Sequence, residues 1–356
     1  MPEILPIQDI PREICILRLS ALGDVTHTVP VIRAINAHWP QTKVTWIIGK
    51  SEHHLLQNLQ GVEFIPFDKR GGVESLKKLK KQLKGRSFDV LLHMQVALRA
   101  NIISRLVKAP LRLGWDRSRS RDGHHWFINH PVRPIPFQHQ VNGFLEFAWS
   151  LGVPEAKPVW DLPIADSAHQ WANEHLPADG PLLMISACSN HSLRNWRSEY
   201  YAQIADRASI ELGMKVVLIG GPGDLDRRVA NDIQQHMQSN CLDLVGKDTL
   251  AQSMALMKRA SVLISPDSGP VHIASALGTP VLGLYAATWS RRSGPYNSLD
   301  LCVDRFSEAA RKFRKKQPGQ LRWGTRIEVP GVMDLIELDA VFEKLRQHQS
   351  GQSQTG

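Results

Sequence analysis

Four stretches carry residues whose types and spacing could do chemistry. The first is Ser20-Ala-Leu-Gly-Asp24-Val-Thr-His27-Thr28-Val-Pro30, where a carboxylate follows a glycine turn and opens a helical pattern. Such an acid is either a helix N-cap or a carboxylate at the floor of a cleft, placed to accept a proton. The turn holds a single glycine, so it lacks the GxGxxG fingerprint of a dinucleotide-dependent dehydrogenase. The second stretch is Ser265-Pro-Asp267-Ser268-Gly269-Pro270-Val-His272, a strand end running through small residues into a helix. Loop N–H groups and a helix N-terminus together suit a diphosphate. Asp267 repels phosphate, so it caps the turn or holds a sugar hydroxyl. His272 is either a buried structural histidine or a phosphate or sugar contact.

The third stretch, Ser186-Ala-Cys-Ser189-Asn190-His-Ser-Leu-Arg194-Asn-Trp196, offers the forked cation of Arg194 at a strand end. Arginine matches diphosphate geometry, although it is equally a surface residue beside a core tryptophan. The fourth, Gly220-Gly-Pro-Gly223-Asp224-Leu-Asp226, lets backbone approach a nucleotide and sets Asp224 where acids hold ribose hydroxyls. Asp224-Leu-Asp226 has the form of a DxD metal motif. It reads instead as first-turn helix acids, since Arg227-Arg228 follows at once, and no metal is expected.

Alternating strands and helices must position these residues. In the first half, apolar strands are expected at 14–19, 43–48, 62–66 and 88–93, with helices at 25–38, 51–59 and 73–83. The second half repeats the theme, with strands at 181–186, 215–220, 241–245, 261–265 and 280–285. Helices lie between them at 198–212, 224–238, 249–260 and 272–277. Such alternation predicts an α/β fold of two doubly wound parallel sheets. In open sheets of this kind ligands bind at the carboxyl ends of the strands, which is where all four stretches fall. The expected organisation is an N-terminal domain over 1–165, a C-terminal domain over 178–325, a last helix over 326–348 packing back on the first domain, and a disordered tail over 349–356. The segment 305–326 reads as irregular and basic.

Composition narrows the class. The chain has 356 residues, 42% hydrophobic and 22% charged, which suits two globular domains and excludes a disordered chain. Its four cysteines, Cys15, Cys188, Cys241 and Cys302, form no CxxC pair, which argues against a zinc site or disulfide framework and for a reducing compartment. Residues 1–12 lack a basic stretch followed by an apolar one, so no signal peptide is expected. No apolar run of about 18 residues predicts a membrane span. A net charge of +9 favours an anionic partner. No helix-turn-helix, RNA-binding signature or stacking platform points to nucleic acid.

The four stretches, in this order, resemble glycosyltransferase family 9, the ADP-heptose:lipopolysaccharide heptosyltransferases. The resemblance rests on S-x-x-G-D-V-x-H-T-x-P at Ser20 to Pro30 and D-[ST]-G-x-x-H-x-A-x-A-L-G-x-P at Asp267 to Pro280. It spans nearly the whole chain. It implies a GT-B fold, two Rossmann-like domains facing a central cleft, and metal-independent transfer with inversion from ADP-L-glycero-β-D-manno-heptose, with no cofactor. Asp24 then looks like the general base. Arg194 stands where relatives often carry a lysine in K-x-W, and would hold the donor phosphates. Ser189 and Asn190 stand where relatives carry threonines. Asp224 falls near the ribose contact, and Asp267, Ser268, Gly269 and His272 match the donor loop.

The implied acceptor is Kdo–lipid A, with or without a phosphate on Kdo, reached from the cytoplasm by an enzyme peripheral to the inner leaflet. Lys69, Arg70 and the basic stretch Arg112, Arg117, Arg119, Arg121, His124 and His125 suit its carboxylates and phosphates. Each is also a plain surface cation. His27 is assigned to the acceptor as well. The region from Ser293 through Trp323 to Gly331 resembles first-heptose enzymes, some of which accept phosphorylated Kdo. Two alternatives remain: a GT-B transferase with another donor or acceptor, and a nucleic-acid-binding protein without catalysis.

Overall fold

The computed structural model describes residues 7 and 9–353. The N-terminal segment read as lacking a signal peptide lies largely outside the described residues, as do residues 354–356 of the expected tail. The chain divides into two units, Met1–Pro163 and Ile164–Gly356.

The first unit holds a sheet of β1 (Glu13–Leu17), β2 (Lys43–Gly49), β3 (Glu63–Phe67), β4 (Val90–His93), β5 (Leu111–Gly114) and β6 (His130–Pro131). Their order is β3-β2-β1-β4-β5-β6, and every pairing is parallel. Ile14, Cys15, Ile16 and Leu17 of β1 are all fully buried. Helices cover both faces of a parallel sheet, so its central strands read as unbroken apolar runs. The strand order reverses between β1 and β4. Their carboxyl ends, residues 18–24 and 94–97, form the switch point at which open sheets bind ligands. Asp24 opens a short 3₁₀ turn, Asp24–Thr28, that leads into the helix Val29–His38.

The second unit repeats this winding. Its strands are β7 (Leu182–Ile185), β8 (Lys215–Leu218), β9 (Leu242–Asp243), β10 (Val262–Pro266), β11 (Val281–Tyr285) and β12 (Val303–Asp304). Their order is β12-β11-β10-β7-β8-β9, again parallel throughout. The reversal falls between β7 and β10, so loops 186–195 and 267–268 meet at its switch point. The helix Ser198–Leu212 ends at Gly213 in the left-handed region, φ +64°, a conformation glycine adopts without steric cost.

Four expectations are corrected. The helix Leu338–Ser353, expected to pack back on the first domain, is part of the second unit and packs on the helix Ser198–Leu212. Val341, Phe342 and Leu345 present an apolar stripe to the core of Leu183, Ile264 and Tyr201, and Arg207 lies over the Phe342 ring at 3.6 Å. The same helix runs through residues 349–353 of the expected disordered tail. The second unit begins well before residue 178, because the helix Asp166–His175 packs on Leu250–Arg259. The segment read as irregular contains the helix Phe306–Arg314. Phe306, Ala309 and Ala310 are buried, while Arg311, Lys312 and Arg314 stay outside. That stripe of three was masked by the charge density around it.

Candidate functional site

In the first unit, Asp24 is held by an arginine that sits inside the protein. Arg18 follows directly on β1, and its side chain is only 10% exposed, against 29% for Asp24. Its Nη2 donates to Asp24 Oδ2 at 2.9 Å and its Nη1 to the Met94 carbonyl at 2.9 Å. The guanidinium lies over the Phe144 ring at 5.0 Å. Burial weakens the hold of Arg18 on its proton, and the Asp24 carboxylate opposes that effect. A buried arginine of this kind needs its counter-charge. Gln140 Nε2 approaches the other carboxylate oxygen at 3.5 Å, so Asp24 is fixed on both sides yet still reaches solvent. The β1 and β4 ends are tied together by Leu19 N–H donating to Gln95 Oε1 at 2.5 Å and by Gln95 Nε2 donating to Ser20 Oγ at 2.9 Å. Gly49, at the end of β2, is required here. A Cβ on it would stand 2.3 Å from the Leu19 carbonyl oxygen. His27 is buried, with its ring edge-on to Phe144 at 5.8 Å.

The basic residues of this unit divide into two kinds. Arg70 and Arg117 are exposed, and so is Arg121, although its Nε donates to the Val96 carbonyl at 3.0 Å. Lys69 and Arg119 turn inward. Lys69 Nζ lies 2.6 Å from buried Glu52. Arg119 pairs with Asp116, donates to the Arg133 carbonyl at 2.6 Å and covers Trp115. Arg112 donates to three backbone carbonyls, of Phe127, Val107 and Ser104.

His124, read as part of the basic stretch, is fully buried and structural. Its Nε2 accepts from the Trp115 N–H at 3.1 Å, and its Nδ1 meets Asn101 Oδ1 at 3.1 Å. His93 Nε2 meets the same oxygen at 2.9 Å. Burial pulls His124 down to about 4 and His93 well below the usual histidine range, so both rings are neutral at pH 7. This buried cluster anchors the loop that bears Arg117, Arg119 and Arg121.

At the second switch point the arrangement is different. Arg194 donates through Nε and Nη2 to Glu328 Oε1 at 2.7 and 2.5 Å. Its Nη1 stands 3.6 Å from Asp267 Oδ2, and His191 lies 3.8 Å from Glu328. One guanidinium therefore faces two carboxylates, with Arg194 and Asp267 each only 12% exposed. The Arg194 cation holds the Glu328 carboxyl below its ordinary range, against the opposing effect of burial.

The remaining residues of the expected donor set are spread along the same strand ends. Ser189 N–H donates to Asn195 Oδ1 at 2.8 Å and its Oγ donates to the His191 carbonyl at 2.9 Å, which fixes the loop, while Asn190 is exposed. Ser268 Oγ lies 2.9 Å from Ser265 Oγ. Gly269 begins the helix Gly269–Ala276, in which His272 is buried. Asp224 is exposed, whereas Asp226 Oδ1 accepts from the Gly221 N–H at 3.1 Å. The two acids of the DxD string thus have separate surroundings, and among the described residues no His, Cys, Asp and Glu cluster could hold a metal. A small recess, with room for about one water, lies beside this loop, lined by Ala187, Cys188, Ile219, Asp226, Val229 and Val245 among others. Burial and Asp226 push the Cys188 thiol up to about 12.

Sequence reasoning missed Arg18, Gln95, Gln140 and Glu328. Arg18 left a signal, since a lone arginine inside an apolar strand run demands a buried partner. Glu328 left none, because 134 residues separate it from Arg194.

Two doubly wound units, each gathering polar residues at its switch point, define the GT-B class of nucleotide-sugar transferases. The model of glycosyltransferase family 9 (heptosyltransferase) matches residues 76–321, and the chain belongs to that family; it is a glycosyltransferase. It is 37% identical over 338 residues to the lipopolysaccharide core heptosyltransferase OpsX of Haemophilus influenzae, covering 95% of this chain and 97% of that one. Among solved structures it is similar to a family 9 glycosyl transferase from Veillonella parvula. The TM-score is 0.78 at 22% identity, over 96% of this chain and 97% of that one. It is also similar to the E. coli heptosyltransferase WaaC with ADP, with a TM-score of 0.72 at 19% identity, over 94% and 99% of the two chains. Among the described residues no helix is long and apolar enough to cross a membrane.

Proposed function

We propose that this enzyme transfers heptose from ADP-L-glycero-D-manno-heptose to the Kdo region of the lipopolysaccharide inner core, with inversion and without a metal. The observation that carries this reading is the fixed, solvent-reaching Asp24 at the first switch point, in a chain 37% identical to a lipopolysaccharide core heptosyltransferase. In this reading the first unit takes the acceptor. Asp24 accepts the proton of the acceptor hydroxyl as its oxygen attacks the anomeric carbon from the face opposite ADP. Arg18 holds Asp24 aimed. Exposed Arg70, Arg117 and Arg121 meet acceptor anions, with His27, Lys69 and Arg119 shaping the ground beneath.

The second unit takes the donor. Arg194 and the N–H groups of the Ser268–His272 turn stabilise charge growing on the diphosphate. Ser189 and Asn190 flank it, and Asp224 takes ribose hydroxyls. Asp267 and Gly269 meet the sugar side. The enzyme works in the cytoplasm, peripheral to the inner leaflet, where a formal charge of +9 favours anionic lipid.

The test is ADP release from ADP-heptose with Kdo–lipid A, unphosphorylated or Kdo-phosphorylated, beside a UDP-sugar panel. Acceptor-dependent release from ADP-heptose alone is expected. Release only from another donor would overturn the reading.

A further inference from the structure

Three large apolar side chains of the first unit stand open along one short helix and the segment beside it. Leu98, Ile102 and Trp126 are 58%, 48% and 72% exposed. Leu98 and Ile102 lie one turn apart on the helix Leu98–Ser104, so they share a side of it, and Arg105 continues that line. Ala100 and Ile103, on the other side, go into the core with Leu17 and Leu91. The segment 121–126 runs along the same helix. Asp122 Oδ2 accepts from the Leu98 N–H at 3.3 Å, the Asp122 carbonyl from Asn101 Nδ2 at 2.9 Å, and the Trp126 carbonyl from Arg105 Nη2 at 3.4 Å. The Trp126 ring rests on Gly123, where a Cβ would stand 2.7 Å from it.

The rim of this face is cationic. Residues 98–126 expose Arg99, Arg105, Lys108, Arg117 and Arg121 against one exposed acid, Asp122, which lies 4.0 Å from Arg121. Arg99 Nη1 donates to the Lys69 carbonyl at 2.9 Å, and the turn it meets is balanced, with exposed Arg70 against exposed Asp68. Aliphatic side chains, a tryptophan and guanidinium groups on one surface match a bilayer with anionic headgroups. The aliphatic groups enter the acyl boundary, the tryptophan settles at headgroup level and the arginines meet lipid phosphates. A second copy of the chain would bring the same cations face to face. A nucleic acid would leave Leu98 and Ile102 without use.

We propose that the face of Leu98, Ile102 and Trp126 docks the protein on an anionic phospholipid surface. Arg121, whose Nε donates to the Val96 carbonyl, joins this face to the end of β4 at the first switch point. The proposal specifies the inner-leaflet association given to the enzyme above. Vesicle binding is read without turnover, so a chain that transfers no heptose would sink the reading of function and leave this surface standing.

Co-sedimentation of the full chain with vesicles of phosphatidylcholine and phosphatidylglycerol in equal parts, beside phosphatidylcholine alone, tests this. Binding to the mixed vesicles is expected, tenfold or more tighter than to phosphatidylcholine. Leu98→Ser with Ile102→Ser, and separately Arg99→Glu with Arg105→Glu, are each expected to weaken it at least fivefold. All four side chains are exposed, and the two pairs read the face independently if one of them disturbs the fold. Arg311→Glu with Lys312→Glu reverses the same charge on the exposed side of the helix Phe306–Arg314 and is expected to cost less than twofold. Bromine-labelled lipid is expected to quench the tryptophan fluorescence of the wild type, and less so that of Trp126→Phe. Equal losses from the two charge reversals, unchanged affinity in the serine pair, or a quench unaltered in Trp126→Phe would each overturn the proposal. Self-association of the chain that the serine pair abolishes would assign the face to a second copy and overturn it too.

Discussion

The two units share one winding and differ in how they treat an arginine at the switch point. In the first, Arg18 meets one carboxylate, Asp24, and the pair is balanced. In the second, Arg194 meets two, Glu328 and Asp267, and Arg326 acts on Glu328 as well. The same topology thus presents a poised acid in one unit and a restrained cation in the other. Fold supplies the location, and the count of charges supplies the chemistry.

Removing the cation breaks the comparison most severely. Arg194→Ala leaves Glu328 and Asp267 facing each other and, on the proposed function, the donor phosphates unheld. Turnover is expected to fall about 10²–10³-fold, the range for losing one preorganised donor, as read by ADP release at saturating acceptor.

The next effect concerns acid stability, where buried histidines of the first unit and two buried carboxyls of the second carry opposite signs. His93 and His124 are held neutral in the first unit by burial, His124 with a folded value of about 4. The unfolded chain takes up protons from about pH 6.5 downward. Stability is therefore full above that pH and lost as pH falls toward 4, by on the order of 3 kcal/mol for His124. In the second unit, burial raises Asp304 and Asp248. Those groups bind protons more readily folded than unfolded, so their contribution is present at low pH and lost as pH rises through their folded values. Calorimetric scans from pH 7 to pH 4.5 are expected to resolve an earlier transition from the first unit, with a smaller pH effect in His124→Gln, where buried His93 remains.

Glu328→Gln sharpens the charge count. It keeps an acceptor for Arg194 and removes one of the two carboxylates that engage it, so ADP affinity is expected to rise roughly three- to tenfold by calorimetry. A loss of affinity would show that the carboxylate matters by aiming Arg194. The smallest effect is local. Thr249 caps the helix Leu250–Arg259 in a reciprocal box with Gln252, and Thr249→Ala is expected to cost about 1 kcal/mol in denaturant unfolding.

Much of this was legible in the sequence wherever the determinants are local. Unbroken apolar runs gave away β1, β2, β7 and β10, and glycine and small-residue turns after them located Asp24, Asp267 and Ser268. Short or half-polar elements escaped. The strand Leu111–Gly114 has one intermediate arginine among four residues, and the helix Gln140–Trp149 is so apolar that no stripe stands out. Pairings across the chain escaped for a stronger reason. Nothing near Arg194 announces Glu328, and nothing near Asp24 announces Gln140, 116 residues away. The basic stretch misled because charge was read as exposure, whereas Arg112 and Arg119 spend their donors on backbone carbonyls and Asp116. The final helix misled because an apolar stripe states that a helix is buried and not what buries it.

The account turns on Asp24 as the proton acceptor, and Asp24→Asn tests it most directly. Asparagine keeps the shape and an oxygen for Arg18 and removes the basicity. The measurement is the turnover of ADP-heptose with Kdo–lipid A beside the affinity for ADP. The account predicts turnover down by about 10²-fold or more with ADP affinity within twofold of wild type. Turnover within a few-fold of wild type would contradict it.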